Sequence, residues 1–347
     1  MAARPRQRRV AREPREPQLA VTISFCEVVE NGPGMEKKGA ERGPGGGLSV
    51  AELHAAAERL RADGVECEVV DLRAAGDLAA AAAVAAAAGA AVAAPAEAAV
   101  LIIRNPLPAL LRRAGYTGAA ADAAAVGAAL AGAAADPEVV ATRNAAYAAA
   151  GAAAGAPLAA GDAAAAALAE QAALMPITDR KALFRGKLLN KNARWNLCFD
   201  ARAQEPALAA GRGRIVPFDA LPLLAAVRSQ LPYYFGAAKA TDLLAEGNYY
   251  YDASRTGIGF HGDGERRLVI ALRLGAEIPL HYQWYLRSAP QGARIALRLN
   301  PGDMYVMSEK AVGTDWKSSS ILSLRHAAGA PRYLAPPARR RTLRTKK

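Results

Sequence analysis

The sequence predicts an α+β protein in which an all-β core follows a small N-terminal α/β domain. Three observations lead to this prediction. Towards the C-terminus, short apolar segments are separated by turn residues without helices between them, as in a β-sandwich or jelly roll. Near the N-terminus, strand-like and helix-like segments alternate, as in a small α/β unit. Between these regions the chain is rich in alanine and poor in large apolar side chains.

These patterns divide the chain into five segments. Residues 1–18 are predicted to be a disordered basic tail, residues 19–115 the α/β domain, and residues 116–175 an alanine-rich linker or insertion. Residues 176–335 are predicted to be the β-rich core, and residues 336–347 a second basic tail. The core is therefore expected to carry the function.

Within the N-terminal domain, the clearest local signal is a helix start. Ser49 and Glu52 have the spacing of a capping box, and Gly64 provides the helix end. The glycine-rich segment before Ser49 lacks the Gly-Lys-Ser/Thr ending of a phosphate-binding P-loop. The predicted elements are strands at 19–25, 65–72 and 100–104 and a helix at 50–62.

In the C-terminal core, strands dominate. A helix is predicted from Leu221 to Leu231, ended by Pro232. Residues 300–303 have the composition of a tight turn. Five strands are predicted around this turn, at residues 268–274, 278–286, 294–299, 303–308 and 320–326.

The composition restricts the compartment and the type of partner. The formal net charge is +12, which suits a polyanion such as nucleic acid or an anionic surface, or else reflects the codon composition of a GC-rich genome. Three cysteines are too few for a disulfide framework or a zinc cluster, which favours a reducing compartment. Neither a secretory signal nor a membrane span is evident. We therefore expect a monomeric nuclear or cytoplasmic protein.

The central motif is His261-Gly262-Asp263. A His and an Asp two residues apart on a strand point to the same side. Together they supply two of the three ligands of a 2-His-1-carboxylate facial triad, which binds Fe(II). The motif occurs by chance in many proteins, and a surface His and Asp are the simpler alternative. The polar strand containing Asn248 and Tyr250, the Glu265-Arg266 pair and a later His favour the metal site.

A basic segment at 181–200 precedes this motif. Its lysines and arginines can reach phosphates, and its aromatic residues can stack on bases. An ordinary amphipathic hairpin is the alternative interpretation.

Residues 181–333 resemble the AlkB-like Fe(II)/2-oxoglutarate dioxygenases, most closely the versions found in algae and large DNA viruses. The resemblance implies a double-stranded β-helix as the core and oxidative removal of alkyl groups from nucleic-acid bases. The motifs that carry it, in chain order, are Asn248-x-Tyr250, Ile258-Gly259-x-His261-x-Asp263-x-Glu265-Arg266, Leu274-Gly275 and Gly302-Asp303-x-x-x-Met307.

The same resemblance implies roles for individual residues. The metal ligands of this chain would be His261, Asp263 and a second His. The contacts to 2-oxoglutarate would come from Asn248 and Tyr250. Substrate binding is assigned to Arg194, Trp195, Glu265 and Arg266.

The distal part of the motif departs from the family pattern. Ser318 stands where the second His is expected, so His326, the only later His, is taken as the third ligand after an insertion. The family also has an Arg that pairs with a carboxylate of 2-oxoglutarate through its planar fork. Arg332 is the first candidate for that role, with Arg325 and Arg339 as alternatives.

The implied reaction requires Fe(II), 2-oxoglutarate and O2. Its substrate is an alkylated base that is flipped out of the base stack of DNA or RNA. Three alternatives remain open at this point. The same site would serve to hydroxylate a protein or 5-methylcytosine, a degenerate site would only bind nucleic acid, and a jelly-roll structural protein would have no site.

Overall fold

The computed structural model describes residues 18–30, 37–38, 46–76, 78, 96–117, 137–155 and 163–335. The predicted tails, apart from Gln18, and the alanine-rich residues 79–95 and 118–136 lie outside these ranges. The strands are β1 (Ala20–Cys26), β2 (Val29–Glu30), β3 (Lys37–Lys38), β4 (Cys67–Asp71), β5 (Ala99–Ile103), β6 (Lys181–Phe184), β7 (Lys187–Asn190), β8 (Trp195–Asp200), β9 (Ile215–Pro217), β10 (Leu244–Tyr250), β11 (Gly257–His261), β12 (Val269–Gly275), β13 (Leu280–Leu286), β14 (Ala289–Leu297), β15 (Met304–Met307) and β16 (Ser323–Gly329). The helices are α1 (Val50–Ala62), α2 (Leu107–Arg113), α3 (Pro137–Gly155), α4 (Ala163–Ala173), α5 (Pro222–Phe235), α6 (Ala237–Ala240), α7 (Glu309–Val312) and α8 (Pro331–Leu334).

Two sheets dominate this mixed α/β fold, which agrees with the predicted α+β class. The larger sheet has the order β4-β5-β15-β12-β1-β10-β8-β9, and the smaller has the order β11-β16-β13-β14. Neighbouring strands are antiparallel throughout, except for the parallel pair β8 and β9. Two short hairpins, β2-β3 and β6-β7, are separate from these sheets.

The core has two main layers because the strands bury different side chains on their two faces. Val21, Ile23 and Phe25 of β1 pack with the helices on one face of the larger sheet. The alternate residues of the same strand, Thr22 and Ser24, line a cavity on the other face. A second apolar cluster, which includes Trp284, joins the two sheets. The cavity therefore lies on the face of the larger sheet that is turned away from the helices.

The boundary predicted at residue 115 does not separate two sheets. β1 lies in the middle of the larger sheet, between β10 and β12, and β5 pairs with β15. Every residue of β1 is buried. A strand buried on both faces and paired on both edges cannot belong to a small separate unit, so the prediction of an independent N-terminal domain is corrected.

The alanine-rich stretch also differs from the prediction. Residues 137–155 and 163–173 are helices, α3 and α4, which pack on each other and contribute buried residues to the core. Ala150 and Ala154 are completely buried. Because alanine side chains are small, these helices can pack close to their neighbours. This close packing compensates for the lack of large apolar side chains.

α5 continues past the proline that was expected to end it. It runs to Phe235 with Pro232 inside it. An internal proline costs about 3 kcal/mol. Burial of Leu231, Tyr234 and Phe235 offsets this cost, at roughly 1.5–3 kcal/mol for each large apolar side chain.

Two local predictions are confirmed. Ser49 and Glu52 form the reciprocal capping box of α1. The Asn300–Asp303 turn closes with a 3.1 Å hydrogen bond from the Asp303 amide to the Asn300 carbonyl. Among the described residues, no helix has the length and apolar character needed to cross a membrane.

Candidate metal centre and its cavity

Two strands of the smaller sheet bring the candidate ligands together. His261 ends β11 and lies directly opposite His326 on β16. Asp263 follows just beyond the end of β11, where its amide donates to the Val312 carbonyl at 3.0 Å. A side chain on Gly262 would lie only 2.0 Å from the carbonyl oxygen of Gly313. Glycine at this position therefore allows the loop after α7 to pack against the motif and hold Asp263 in place.

The potential ligand atoms of His261, Asp263 and His326 all lie within 4.8 Å of one another. The Oδ1 atom of Asp263 is 3.4 Å from His261 Nε2 and 3.8 Å from His326 Nε2. The centres of the two imidazole rings are 4.4 Å apart. The three side chains that the sequence analysis selected as candidate metal ligands therefore lie close together.

A hydrogen bond to the backbone fixes the orientation of the His261 ring. Its Nδ1 atom is 2.8 Å from the carbonyl oxygen of Gly259. Because a carbonyl only accepts, Nδ1 donates this hydrogen bond, and Nε2 is the ring nitrogen that lies near Asp263.

The charges of the three groups also suit a cation. Burial, with a smaller contribution from His261, lowers the pKa of His326 to about 3, so this imidazole is neutral at pH 7. Burial would raise the pKa of Asp263, but the guanidinium of Arg266 and the hydrogen bond from His261 hold that pKa well below its usual range. Two imidazoles and one carboxylate are the donor set of a facial triad for a divalent metal.

Arg266 is a buried partner of Asp263. Its Nη2 atom donates to Glu246 at 2.8 Å and to Glu265 at 2.9 Å, and its Nε atom is 3.9 Å from Asp263. Glu265 and Arg266 both line the cavity. Arg266, which was predicted to bind substrate, is thus already paired with carboxylates of the protein. One of these is Asp263, which it helps to orient.

The triad opens into a cavity of about 460 Å³. Asn248 and Tyr250, predicted to contact 2-oxoglutarate, line this cavity together with Arg194. Asn248 Oδ1 accepts hydrogen bonds from Arg194 Nε and, at 2.9 Å, from Asn196 Nδ2. Three of the predicted binding residues therefore share one wall.

Trp195 lies beside this wall. Its ring stacks on Tyr251 with centroids 4.3 Å apart, and the guanidinium of Arg180 lies 4.2 Å above it. The predicted base-contacting pair is thus split, with the Arg194 side chain lining the cavity and the Trp195 ring stacked next to it.

The structure does not bring the predicted carboxylate-binding arginines into the cavity. Arg325 donates to the Trp316 carbonyl and lies 4.1 Å above the Tyr285 ring. Because side chains alternate along a strand, Arg325 faces away from the side that His326 faces. Arg332 is engaged with the carbonyl of Arg255 near the surface. The third candidate, Arg339, lies outside the described residues.

A different arginine, Arg273 on β12, occupies the cavity wall. It is 1% exposed, and its Nε and Nη1 atoms make no hydrogen bond to the described part of the chain. Thr22 lies opposite it on β1, and the Thr22 hydroxyl is also buried without a hydrogen bond there. The signal that sequence reasoning missed is a single charged residue within the apolar run of residues 268–274.

Arg273 and Thr22 have the chemistry that suits an anion. A buried guanidinium without a counterion costs several kcal/mol, and an arginine fork fits a carboxylate with two parallel hydrogen bonds. The cavity therefore brings together a triad of potential metal ligands and two buried groups that can donate hydrogen bonds to an anion.

Comparison with known proteins adds a viral relative. No protein-family model matches the sequence. Over 156 residues the chain is 49% identical to an uncharacterized protein of Acanthamoeba polyphaga mimivirus. The match covers 45% of this chain and 60% of the viral protein, so the chain spans about 60% of that relative's length. Because the relative is uncharacterized, the functional interpretation depends on the geometry of the cavity.

Proposed function

We propose that this protein is an Fe(II)- and 2-oxoglutarate-dependent dioxygenase that removes alkyl groups from nucleic-acid bases. The observation that carries the proposal is the convergence of His261, Asp263 and His326 within 4.8 Å. Two imidazoles and a carboxylate on one side of a metal leave coordination positions free for a co-substrate and oxygen.

The fold supports the same proposal at the level of architecture. The small antiparallel sheet carries two of the ligands, and its apolar residues pack against the larger sheet. We infer that these two sheets form the double-stranded β-helix of the AlkB-like dioxygenases. In that arrangement the ligands on β11 and β16 face the interior between the sheets.

The cavity wall supports 2-oxoglutarate as the co-substrate. Arg273 Nε and Nη1 would bind its distal carboxylate as a fork, with the Thr22 hydroxyl as a third donor. Asn248 and Tyr250 lie on the same wall and would fix the orientation of the chain between carboxylate and metal. Arg273 replaces Arg332 and Arg325 in this role.

Iron and 2-oxoglutarate, when bound, supply the chemistry: O2 is reduced, 2-oxoglutarate becomes succinate and carbon dioxide, and the hydroxylated alkyl group leaves as an aldehyde. The protein holds these groups and excludes water. Arg266 keeps Asp263 ionised and oriented through its contacts with Asp263 and Glu246.

A cationic surface supports nucleic acid as the substrate. Residues 180–194 contain six lysines and arginines and no acidic residue. Arg194, at the end of this run, lines the cavity. Phosphates that approach the cavity would therefore meet positive charge.

The test is succinate formation by purified protein with Fe(II), ascorbate, 2-oxoglutarate and a methylated oligonucleotide. We expect turnover that is lost in Asp263→Ala and in His326→Ala, and release of formaldehyde in equal amount. Ser318→Ala is the control, because the half-buried Ser318 does not line the cavity, and its hydroxyl hydrogen-bonds with that of Ser320. Full activity in His326→Ala would reject the proposed third ligand.

A further inference from the structure

Asn196 is a buried residue whose side-chain amide joins two residues that line the cavity. It lies on β8, directly opposite Asn248 of β10, and it is 5% exposed. Its Nδ2 atom donates to Asn248 Oδ1 at 2.9 Å and to Glu246 Oε1 at 3.1 Å. Glu246 and Asn248 are two residues apart on one strand, so their side chains share the face that lines the cavity. One amide group is therefore bonded to both of them.

The orientation of the Asn196 amide follows from its partners. Lys191 Nζ donates to Asn196 Oδ1 at 3.2 Å. An ammonium only donates, and the Glu246 carboxylate, which is paired with Arg266, accepts. The oxygen of Asn196 therefore faces Lys191 and the nitrogen faces Glu246, because a flipped amide would lose the hydrogen bonds on both sides.

The first branch of this network leads to the candidate triad. Glu246 Oε2 accepts a hydrogen bond from Arg266 Nη2 at 2.8 Å, and Arg266 Nε is 3.9 Å from Asp263 Oδ2. Glu246 and Arg266 are 3% and 6% exposed. Buried polar groups that are bonded to one another form a rigid network, so the position of each group depends on its neighbour. Displacement of Asn196 would therefore change the position of Asp263.

The second branch leads to the wall that is proposed to bind 2-oxoglutarate. Asn248 Oδ1 accepts hydrogen bonds from both Asn196 Nδ2 and Arg194 Nε. Because two donors hold this oxygen, the Asn248 nitrogen is the end of the amide that can donate to a ligand in the cavity. Asn196 thus helps to set the orientation of Asn248 as well as that of Glu246.

We propose that Asn196 is a positioning residue that holds two parts of the cavity in register, the carboxylate of the candidate triad and the wall for the co-substrate. It acts through Glu246 and Arg266 on Asp263, and through Asn248 on 2-oxoglutarate. The inference rests on the proposed function, since it names a residue that organises the same site.

The experiment measures Mn(II) affinity by isothermal titration without 2-oxoglutarate, and then 2-oxoglutarate affinity in Mn(II)-saturated protein. Asn196→Leu nearly keeps the side-chain volume and removes both donated hydrogen bonds. Mn(II) binding should weaken by about tenfold or more, as expected when a group that orients a metal ligand is lost. Binding of 2-oxoglutarate should weaken by about fivefold, the effect of one lost hydrogen bond.

A double-mutant cycle tests whether Asn196 acts on the metal through Glu246. Glu246→Gln keeps the shape of that side chain and removes the charge that pairs with Arg266. Asn196→Leu combined with Glu246→Gln should weaken Mn(II) binding by about as much as Glu246→Gln alone, because both changes interrupt one path. Independent effects would multiply the two losses.

A spectroscopic measurement separates positioning from a general loss of stability. The visible absorption bands of Co(II)-loaded protein depend on the geometry of the ligands around the metal. These bands should shift in Asn196→Leu, whereas a substitution that only lowers stability leaves them unchanged in the folded protein.

Asn192→Leu is the matched control, since it makes the same change at an exposed position four residues away. It should bind Mn(II) and 2-oxoglutarate within about twofold of wild type, as surface substitutions do. Circular dichroism checks that each variant folds. If Asn196→Leu does not fold, Asn196→Asp should show the same losses, because it keeps the oxygen that faces Lys191 and removes the two donated hydrogen bonds.

Wild-type Mn(II) affinity in a folded Asn196 variant would overturn the inference, and so would an unchanged Co(II) spectrum. Failure of the proposed function has a different signature, because the wild-type protein would then bind neither Mn(II) nor 2-oxoglutarate.

Discussion

The guanidinium of Arg273 is buried, and its Nε and Nη1 atoms make no hydrogen bond to the described residues. Arg273→Met should stabilise the unliganded protein by about 1–4 kcal/mol, because an apolar side chain of similar length removes a buried unpaired charge. The same change should weaken 2-oxoglutarate binding about 30-fold or more, since truncating one side of a buried charge pair costs at least about 2 kcal/mol. Chemical denaturation and calorimetry with Mn(II)-loaded protein measure the two effects.

The matched control for Arg273 is Arg325→Met. Arg325 lies on the opposite side of β16 from His326, against Tyr285 and Trp316. This variant should bind 2-oxoglutarate as wild type does. If Arg325→Met weakened binding and Arg273→Met did not, the carboxylate site would be elsewhere.

At the same scale, sequence reasoning identified some site residues and missed others for physical reasons. His261 and Asp263 form a local motif, and His326 is the only histidine after Ser318, so all three could be selected from the sequence. Arg273 and Thr22 acquire their role only because β1 and β12 pair. Pairing between distant segments is not encoded in any local spacing.

At the scale of elements, Glu170 connects α4 to the start of α5. Its carboxylate accepts hydrogen bonds from the Leu223 and Leu224 amides, yet burial raises its pKa to about 8. The folded protein therefore binds a proton more tightly here than the unfolded chain does. The free energy of unfolding should fall as pH rises from about 4.5 to about 8, by up to roughly 1.4 kcal/mol per pH unit.

Glu170→Gln tests this pH dependence. Glutamine cannot ionise, so urea unfolding of the variant should show a smaller loss of stability over the same pH range. Glu138→Gln, at an exposed position on α3, is the control and should keep the wild-type pH profile. An identical pH profile in wild type and Glu170→Gln would contradict the assignment.

Elements with strong local signals were predicted well, and those decided by tertiary packing were not. The α1 capping box depends on two residues three positions apart, and it is present. The extension of α5 through Pro232 depends on Tyr234 and Phe235 being buried by distant parts of the chain. The packing of α3 and α4 likewise depends on partners that an alanine-rich sequence does not specify.

For the whole molecule, the cavity next to the candidate triad has one wall from a sheet that is built from both ends of the chain. β1 lies between β10 and β12, and it carries Thr22 into the cavity. The α+β class could be predicted from composition and strand patterns. The joining of N-terminal and C-terminal strands in one large sheet could not. Local patterns predict strands, but the order of strands in a sheet depends on long-range contacts.

Metal binding by the whole protein is the most direct test of the central claim. Isothermal titration of metal-free protein with Mn(II), in the presence of 2-oxoglutarate, should give one ion per chain. Asp263→Ala and His326→Ala should each abolish this binding, while His54→Ala, at an exposed position on α1, should leave it unchanged. Absence of stoichiometric binding in the wild type, or wild-type affinity in His326→Ala, would contradict the facial triad.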